Sequence, residues 1–253
     1  MTSYSPVTEL PGSGATREQL MMLATRYRLA ADIASGHDVL EVACGPGIGL
    51  GYLARGARRV VGGDVDERLL QEAKRHYGRR IPLLRLDAHT LPFTDGAFDA
   101  VILFEALYYL TEPERFVREA RRVLRPAGMV LISTVNRDWR GFNPSPFSTR
   151  YFSAGELRTL LESAGFAVEL LGGFPSGAST LGEKALVLAR EGAVRLHLIP
   201  TTMRSKQLLK RLVYGRLPAL PPELEDGPVA PLAPLRGDAS VRDFKILYAL
   251  GRI

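Results

Sequence analysis

Cysteine is almost missing from this 253-residue chain, where Cys44 stands alone. That excludes an internal disulfide and a thiolate zinc cluster, and it points to a reducing cytoplasm. Histidine is scarce as well. His37, His76, His89 and His197 are the four, no pair has metal-ligand spacing, and no metal is expected. No apolar run is long enough to cross a bilayer, and Met1–Gly12 lacks the pattern of a signal peptide. What is present is a 46% hydrophobic composition, ample for the core of one large domain or of one domain with an insertion. The wording, rich in Ala, Arg, Gly and Leu, suggests a GC-rich bacterial genome.

The chemistry concentrates in Val39-Leu40-Glu41-Val42-Ala43-Cys44-Gly45-Pro46-Gly47-Ile48-Gly49. This reads as a short apolar strand, a glycine-rich turn and the start of a helix. Gly45 and Gly47 permit unusual backbone angles and let a ligand touch the main chain. Asp64 follows about twenty positions later at a strand end, the spacing of an adenosine-binding α/β unit. Its carboxylate can accept hydrogen bonds from two ribose hydroxyls. The glycine register excludes a dinucleotide fingerprint: counting from Gly45 reaches Leu50 where Gly or Ala is required, and counting from Gly47 reaches Tyr52.

Four further segments appear in order. Arg59–Asp66 reads as a second strand ending in an acid, and Leu84–Phe93 contains Asp87-Ala88 followed by Leu91-Pro92-Phe93. Phe98–Leu110 reads as a fourth strand with its loop. Glu119–Ile132 reads as a helix, an Arg-Pro-x-Gly turn and a fifth strand. Together these motifs resemble class I S-adenosylmethionine (SAM) methyltransferases over about residues 37–172. The resemblance implies a Rossmann-like α/β fold: a mostly parallel seven-stranded sheet with an antiparallel last strand and helices on both faces. It implies SAM as cofactor and S-adenosylhomocysteine (SAH) as product. It assigns cofactor contacts to Tyr27, Arg28, Glu41, Ala43, Gly45, Gly47, Asp64, Val65, Asp87, Ala88, Phe104, Glu105 and Tyr109. Asp87 is expected near the adenine amino group, and Arg28 beside the methionine carboxylate.

The expected organisation is a single methyltransferase domain. Residues 1–36 form an N-terminal helical lid, with an amphipathic helix over 16–34. Residues 37–174 are the SAM-binding core, 175–242 an insertion capping the active site, and 243–253 the last strand. Within the insertion, Met203–Tyr214 reads as a basic amphipathic helix and Leu217–Leu235 as a proline-rich extended wrap. The net charge of +6 invites a nucleic-acid reading, but there is no basic arm, stacking motif or zinc module. The basic helix therefore reads as a solvated face packed on the body.

Catalytic candidates are Glu105, Tyr109 and His89. Glu105 either orients a substrate hydroxyl or the methionine amino group, or is a helix-start carboxylate. Tyr109 stands where many relatives have a His. His89 follows the adenine-side motif. Asn136, Arg137, Trp139 and Arg150 follow the fifth strand and are candidate acceptor contacts. Resemblance to methyltransferases of bacterial polysaccharide or natural-product pathways points to O-methylation of a sugar or hydroxylated metabolite. The alternatives are C- or N-methylation of a small metabolite, or an RNA or protein methyltransferase docking through the basic insertion. The oligomeric state is left open.

Overall fold

The computed structural model describes Tyr4 and residues 8–175, 217–236 and 241–253. The sheet is built on β1 (Asp38–Val42), β2 (Arg59–Asp64), β3 (Leu83–Arg85), β4 (Phe98–Phe104) and β5 (Leu124–Val135), paired in parallel. The helices are α1 (Arg17–Ala34), α2 (Leu50–Ala54), α3 (Glu67–Tyr77), α4 (Pro113–Val123) and α5 (Ala154–Glu162). Three more strands, β6 (Ala167–Pro175), β7 (Leu232–Pro234) and β8 (Phe244–Arg252), complete the order β3-β2-β1-β4-β5-β8-β6-β7. The expected antiparallel last strand is β8, which runs antiparallel to both β5 and β6. The sheet has eight strands where seven were expected; the extra one is the three-residue β7, an edge piece paired with β6.

Both faces are covered, as a parallel sheet requires. Side chains alternate along β1, so Leu40 and Val42 face the α4 and α5 side while Val39 faces α1, α2 and α3. The helices start where local chemistry caps them. Thr16 and Gln19 form a capping box at α1, and Ser153 and Glu156 form another at α5. Asp66 caps α3, and Gly78, at φ +55°, closes it. At the end of the sheet where β1 begins, Arg58 and Arg125 pair with Asp38 and Asp99, and His37 lies 3.8 Å from Asp99. His37 is thus remote from the carboxyl ends of the parallel strands.

Residues 217–236 contain no helix and run as an extended strap. Leu220 exchanges backbone hydrogen bonds with Gly12 and Ser13, Leu224 N–H donates to Ile48 O at 2.7 Å, and Ala230 N–H donates to Thr25 Oγ1 at 2.9 Å. Tyr52 donates to Asp226, and Glu223 takes both His76 Nε2, at 2.8 Å, and Arg80. The strap binds α1, α2 and α3 together from outside. The expected basic helix and His197 lie outside the described residues. Among those described, no helix is long and apolar enough to cross a membrane.

Leu220, 3% exposed, anchors the strap among the α1–α3 core residues. Leu220→Ala is expected to lower stability by about 2–5 kcal/mol, read as a lower urea midpoint with an unchanged slope.

Candidate active site

A cavity of about 540 Å³ opens at the carboxyl ends of the parallel strands, the position at which open α/β sheets bind ligands. Its floor comes from successive strand ends. The turn after β1 gives Val42–Pro46 and Ile48, β2 gives Asp64 and Val65, and the loop after β3 gives Leu86–His89. The end of β4 gives Phe104–Ala106, β5 gives Val135, and β8 gives Ile246 and Tyr248. Its other wall is α1, through Gln19, Met22, Leu23, Arg26 and Tyr27, with Tyr4, Thr8 and Glu9 ahead of it.

The glycine turn has the backbone its sequence implies. Gly45 and Gly47 sit at φ +56° and +78°, in the left-handed region that side chains disfavour. Asp64, 6% exposed, accepts the N–H groups of Gly45 and Asp66, each at 2.8 Å. Burial raises its pKa, against the pull of those N–H donors. Glu41 is deeper. Its Oε1 accepts the Tyr27 hydroxyl at 2.5 Å, which fixes α1 to β1. Burial pushes its pKa up to about 7. Glu41 lines the cavity, and its Oε2 is buried without a hydrogen-bond partner, an acceptor that a cationic ligand group could satisfy.

On the adenine side, Asp87 Oδ1 accepts the His89 backbone N–H at 2.9 Å and faces His89 Nδ1 at 2.7 Å. His89 Nε2 accepts the Glu112 N–H at 3.2 Å. Both ring nitrogens are therefore engaged, Nδ1 with Asp87 and Nε2 with the Glu112 N–H. This geometry corrects the expectation of a catalytic His89: it has no open lone pair and acts by orienting Asp87.

Glu105 occupies the end of β4 at φ +50°, a conformation that a side-chain-bearing residue adopts at a cost. Its N–H is tied to Ser133 O, and its carboxylate accepts Ser133 Oγ at 3.2 Å and the Tyr108 hydroxyl at 3.4 Å. Burial raises its pKa, opposed by the nearby charge of Arg26. Tyr109 lines the same wall, but its hydroxyl pairs with Ser145 Oγ at 2.8 Å, and burial pushes its pKa up to about 12. That makes it a wall and not a base.

Arg28 is a second correction. It points outward from α1 and pairs with Asp32 at 3.5 Å, with its side chain 60% exposed. Arg26, two residues earlier, is the arginine in the cavity, 3.6 Å from Glu9. Its Nε is buried without a partner. The signal was in the sequence: Gln19, Met22, Leu23, Arg26 and Tyr27 follow the i, i+3, i+4, i+7, i+8 spacing of one helix face. The loop after β5 is a third correction. Asn136 is fully buried and donates to Val241 O and Phe244 O, while Arg137 and Arg150 pair with Glu156. None of Asn136, Arg137, Trp139 and Arg150 lines the cavity. Nor does any residue of the strap 217–236. Among the described residues no group of three or more His, Cys, Asp or Glu could hold a metal.

Residues 40–132 match the family model described as a methyltransferase domain. Over this region the chain is similar to SAM-dependent methyltransferases. A protein of Mycolicibacterium smegmatis named "Probable S-adenosylmethionine-dependent methyltransferase" is 40% identical over 149 residues, 56% of this chain and 57% of that protein. The O-methyltransferase cnsE of Penicillium expansum is 29% identical over 180 residues, 66% of this chain and 62% of that protein. The chain thus spans somewhat more than half the length of these curated relatives. A solved SAM-dependent methyltransferase from Archaeoglobus fulgidus superposes with a TM-score of 0.60 at 13% identity, over 92% of this chain and 94% of that one, and so shares the fold.

The residues present fit SAM. Gly45 and Ala43 would give the close main-chain surface, while Gly47, expected as a contact, lies outside the cavity lining and shapes the turn against Leu50, Ala73 and Tyr77. Asp64 would take the ribose, Val65, Asp87 and Ala88 the adenine, and Glu41 Oε2 the methionine ammonium. Two outcomes are expected by calorimetry. Asp64→Ala should weaken SAH binding by about 1.5–3 kcal/mol. SAH should also bind more tightly as pH rises through about 7, because the ammonium needs Glu41 ionised, and Glu41→Gln should flatten that dependence. The sign for folding is opposite: the raised Glu41 pKa lends the free protein stability that is full below about 4.5 and is lost through about 7.

Proposed function

We propose that this chain transfers a methyl group from SAM to a hydroxyl oxygen of a small molecule, with Glu105 as proton acceptor. The observation that carries the reading is the position of Glu105: a half-buried carboxyl at the end of β4, next in line after the cofactor-side strand ends, held by Ser133 and Tyr108. SAM, when bound, supplies a methyl carbon already activated on a sulfonium and leaves as SAH. The chain has to align the acceptor, exclude water and receive one proton. The hydroxyl proton passes to Glu105 as the acceptor oxygen takes the methyl carbon and sulfur keeps the bonding electron pair. Ser133 and Tyr108 orient the carboxylate, and Arg26 favours its charged form.

The acceptor class is a sugar or a hydroxylated natural product. Support comes from the modest size of the cavity, about 540 Å³ for cofactor and acceptor together, and from the O-methyltransferase relative. We place the reaction in a bacterial cytoplasm, on the composition and the single buried Cys44. An RNA or protein acceptor would need the basic segment Met203–Tyr214, which lies outside the described residues.

Labelled methyl from SAM, supplied with the protein to an extract of the source cells, should enter the small-molecule fraction; label confined to RNA or protein would overturn the reading. With the isolated product's precursor in hand, Glu105→Gln should lower turnover roughly 10²–10⁴-fold while SAM still binds. Wild-type turnover should rise with pH through the raised Glu105 pKa, since the base works only when ionised.

A further inference from the structure

The half of the cavity beyond Glu105 has its own chemistry. The sheet order places β4, β5 and β8 side by side, so the cavity continues past the cofactor strands toward β8. Tyr248 of β8 pairs in register with Ser133, the residue that binds Glu105, and Ile246 pairs with Val135. With Met22 and Arg26 of α1 and Tyr108 these residues enclose a chamber. One side is a rigid aromatic array. Tyr108 packs on Tyr109 at 4.6 Å and stacks on Tyr151 at 4.5 Å, and Tyr4 lies 5.3 Å from Tyr109. Tyr4, Tyr108 and Tyr109 all face the cavity.

Its polar side chains are few and most are directed at a partner, with Arg26 Nε left unpaired. The Tyr108 hydroxyl is directed at Glu105, the Tyr109 hydroxyl at Ser145, and Arg26 at Glu9. Two carboxylates, Glu9 and Glu105, face one guanidinium, so a phosphate or carboxylate on the acceptor would enter a site that is already negative. A sugar would bring several hydroxyls against Met22, Val135, Ile246 and ring faces, where those that do not reach Glu105, Arg26 or the Tyr248 hydroxyl would lose their water without gaining partners.

Resting on the SAM-binding reading above, we infer that this chamber takes an uncharged acceptor with a flat conjugated ring, presenting one ring hydroxyl to Glu105, and rejects free and phosphorylated sugars. The ring lies against the tyrosine array and the aliphatic side chains, a contact whose surface matches theirs. The hydroxyl reaches the one carboxylate in the chamber placed to receive its proton. This narrows the acceptor class to phenols and enols of fused or conjugated rings, and it runs against the anionic sugar that the overall positive charge alone would suggest.

Calorimetric titration of the SAH-saturated protein tests this. The probes are 2-naphthol, methyl α-glucopyranoside and glucose 1-phosphate. The expected result is 2-naphthol binding at least tenfold tighter than either sugar. Met22→Trp, which fills the chamber from α1, should abolish 2-naphthol binding, and an SAH titration of the same variant reports whether the cofactor half is intact. Either sugar matching 2-naphthol, no 2-naphthol binding to the SAH-loaded protein, or 2-naphthol binding that survives Met22→Trp would overturn the inference. A wild-type protein that fails to bind SAH at all would instead bring down the cofactor reading on which it rests.

Discussion

The carboxylate of Asp64 is the constraint on which the cavity depends. It is buried, and it keeps its place by accepting two backbone N–H groups, those of Gly45 and Asp66. The first ties the glycine turn after β1 to the end of β2. The second sets the start of α3, where Asp66 accepts the N–H groups of Arg68 and Tyr4. Turn, helix and N-terminal segment are thus registered against one carboxyl group. A buried acid is expensive unless it is hydrogen-bonded, and the main-chain donors that offset the cost here also shape the ligand surface.

From that fixed point the strand order lays out the site. Neighbouring strands are about 4.8 Å apart, so a ligand lying across their carboxyl ends meets β3, β2, β1 and β4 in turn. Asp87, Asp64, Glu41 and Glu105 stand at or just beyond those ends, one per strand. The polar ends of an extended cofactor can therefore be matched by a row of carboxylates without any long loop. Beyond Glu105 the row stops and the wall turns aromatic and aliphatic. On the proposed reading, this change in chemistry along one cavity would separate the part that holds the methyl donor from the part that chooses the acceptor.

Much of this was legible in the sequence, for a physical reason. A strand, a tight glycine turn and an acid at the next strand end are local features, and each carries its chemistry within a few residues. Gly45, Gly47, Asp64, Asp87 and Glu105 all came from such segments, and so did the capping boxes of α1 and α5. What local reading misplaced depends on distant partners. Local reading names Arg28 and passes over Arg26, although the Tyr27–Glu41 hydrogen bond fixes the rotation of α1 so that Arg26 enters the cavity. His89 looked available, but a backbone N–H at Glu112, over twenty residues away, occupies it. Asn136 looked like an acceptor contact and instead bridges to the chain entering β8. Tyr248 escaped notice because only the antiparallel insertion of β8 between β5 and β6 carries it to the site.

A crystal structure of the protein with bound SAH is the most direct test. The layout requires the adenine by Asp87 and Ala88, the ribose hydroxyls on Asp64, the ammonium on Glu41 Oε2, and the sulfur beside Glu105, facing the chamber of Met22, Tyr108 and Tyr248. SAH bound in the reverse sense, or with its sulfur turned away from Glu105 and that chamber closed to it, would contradict the account.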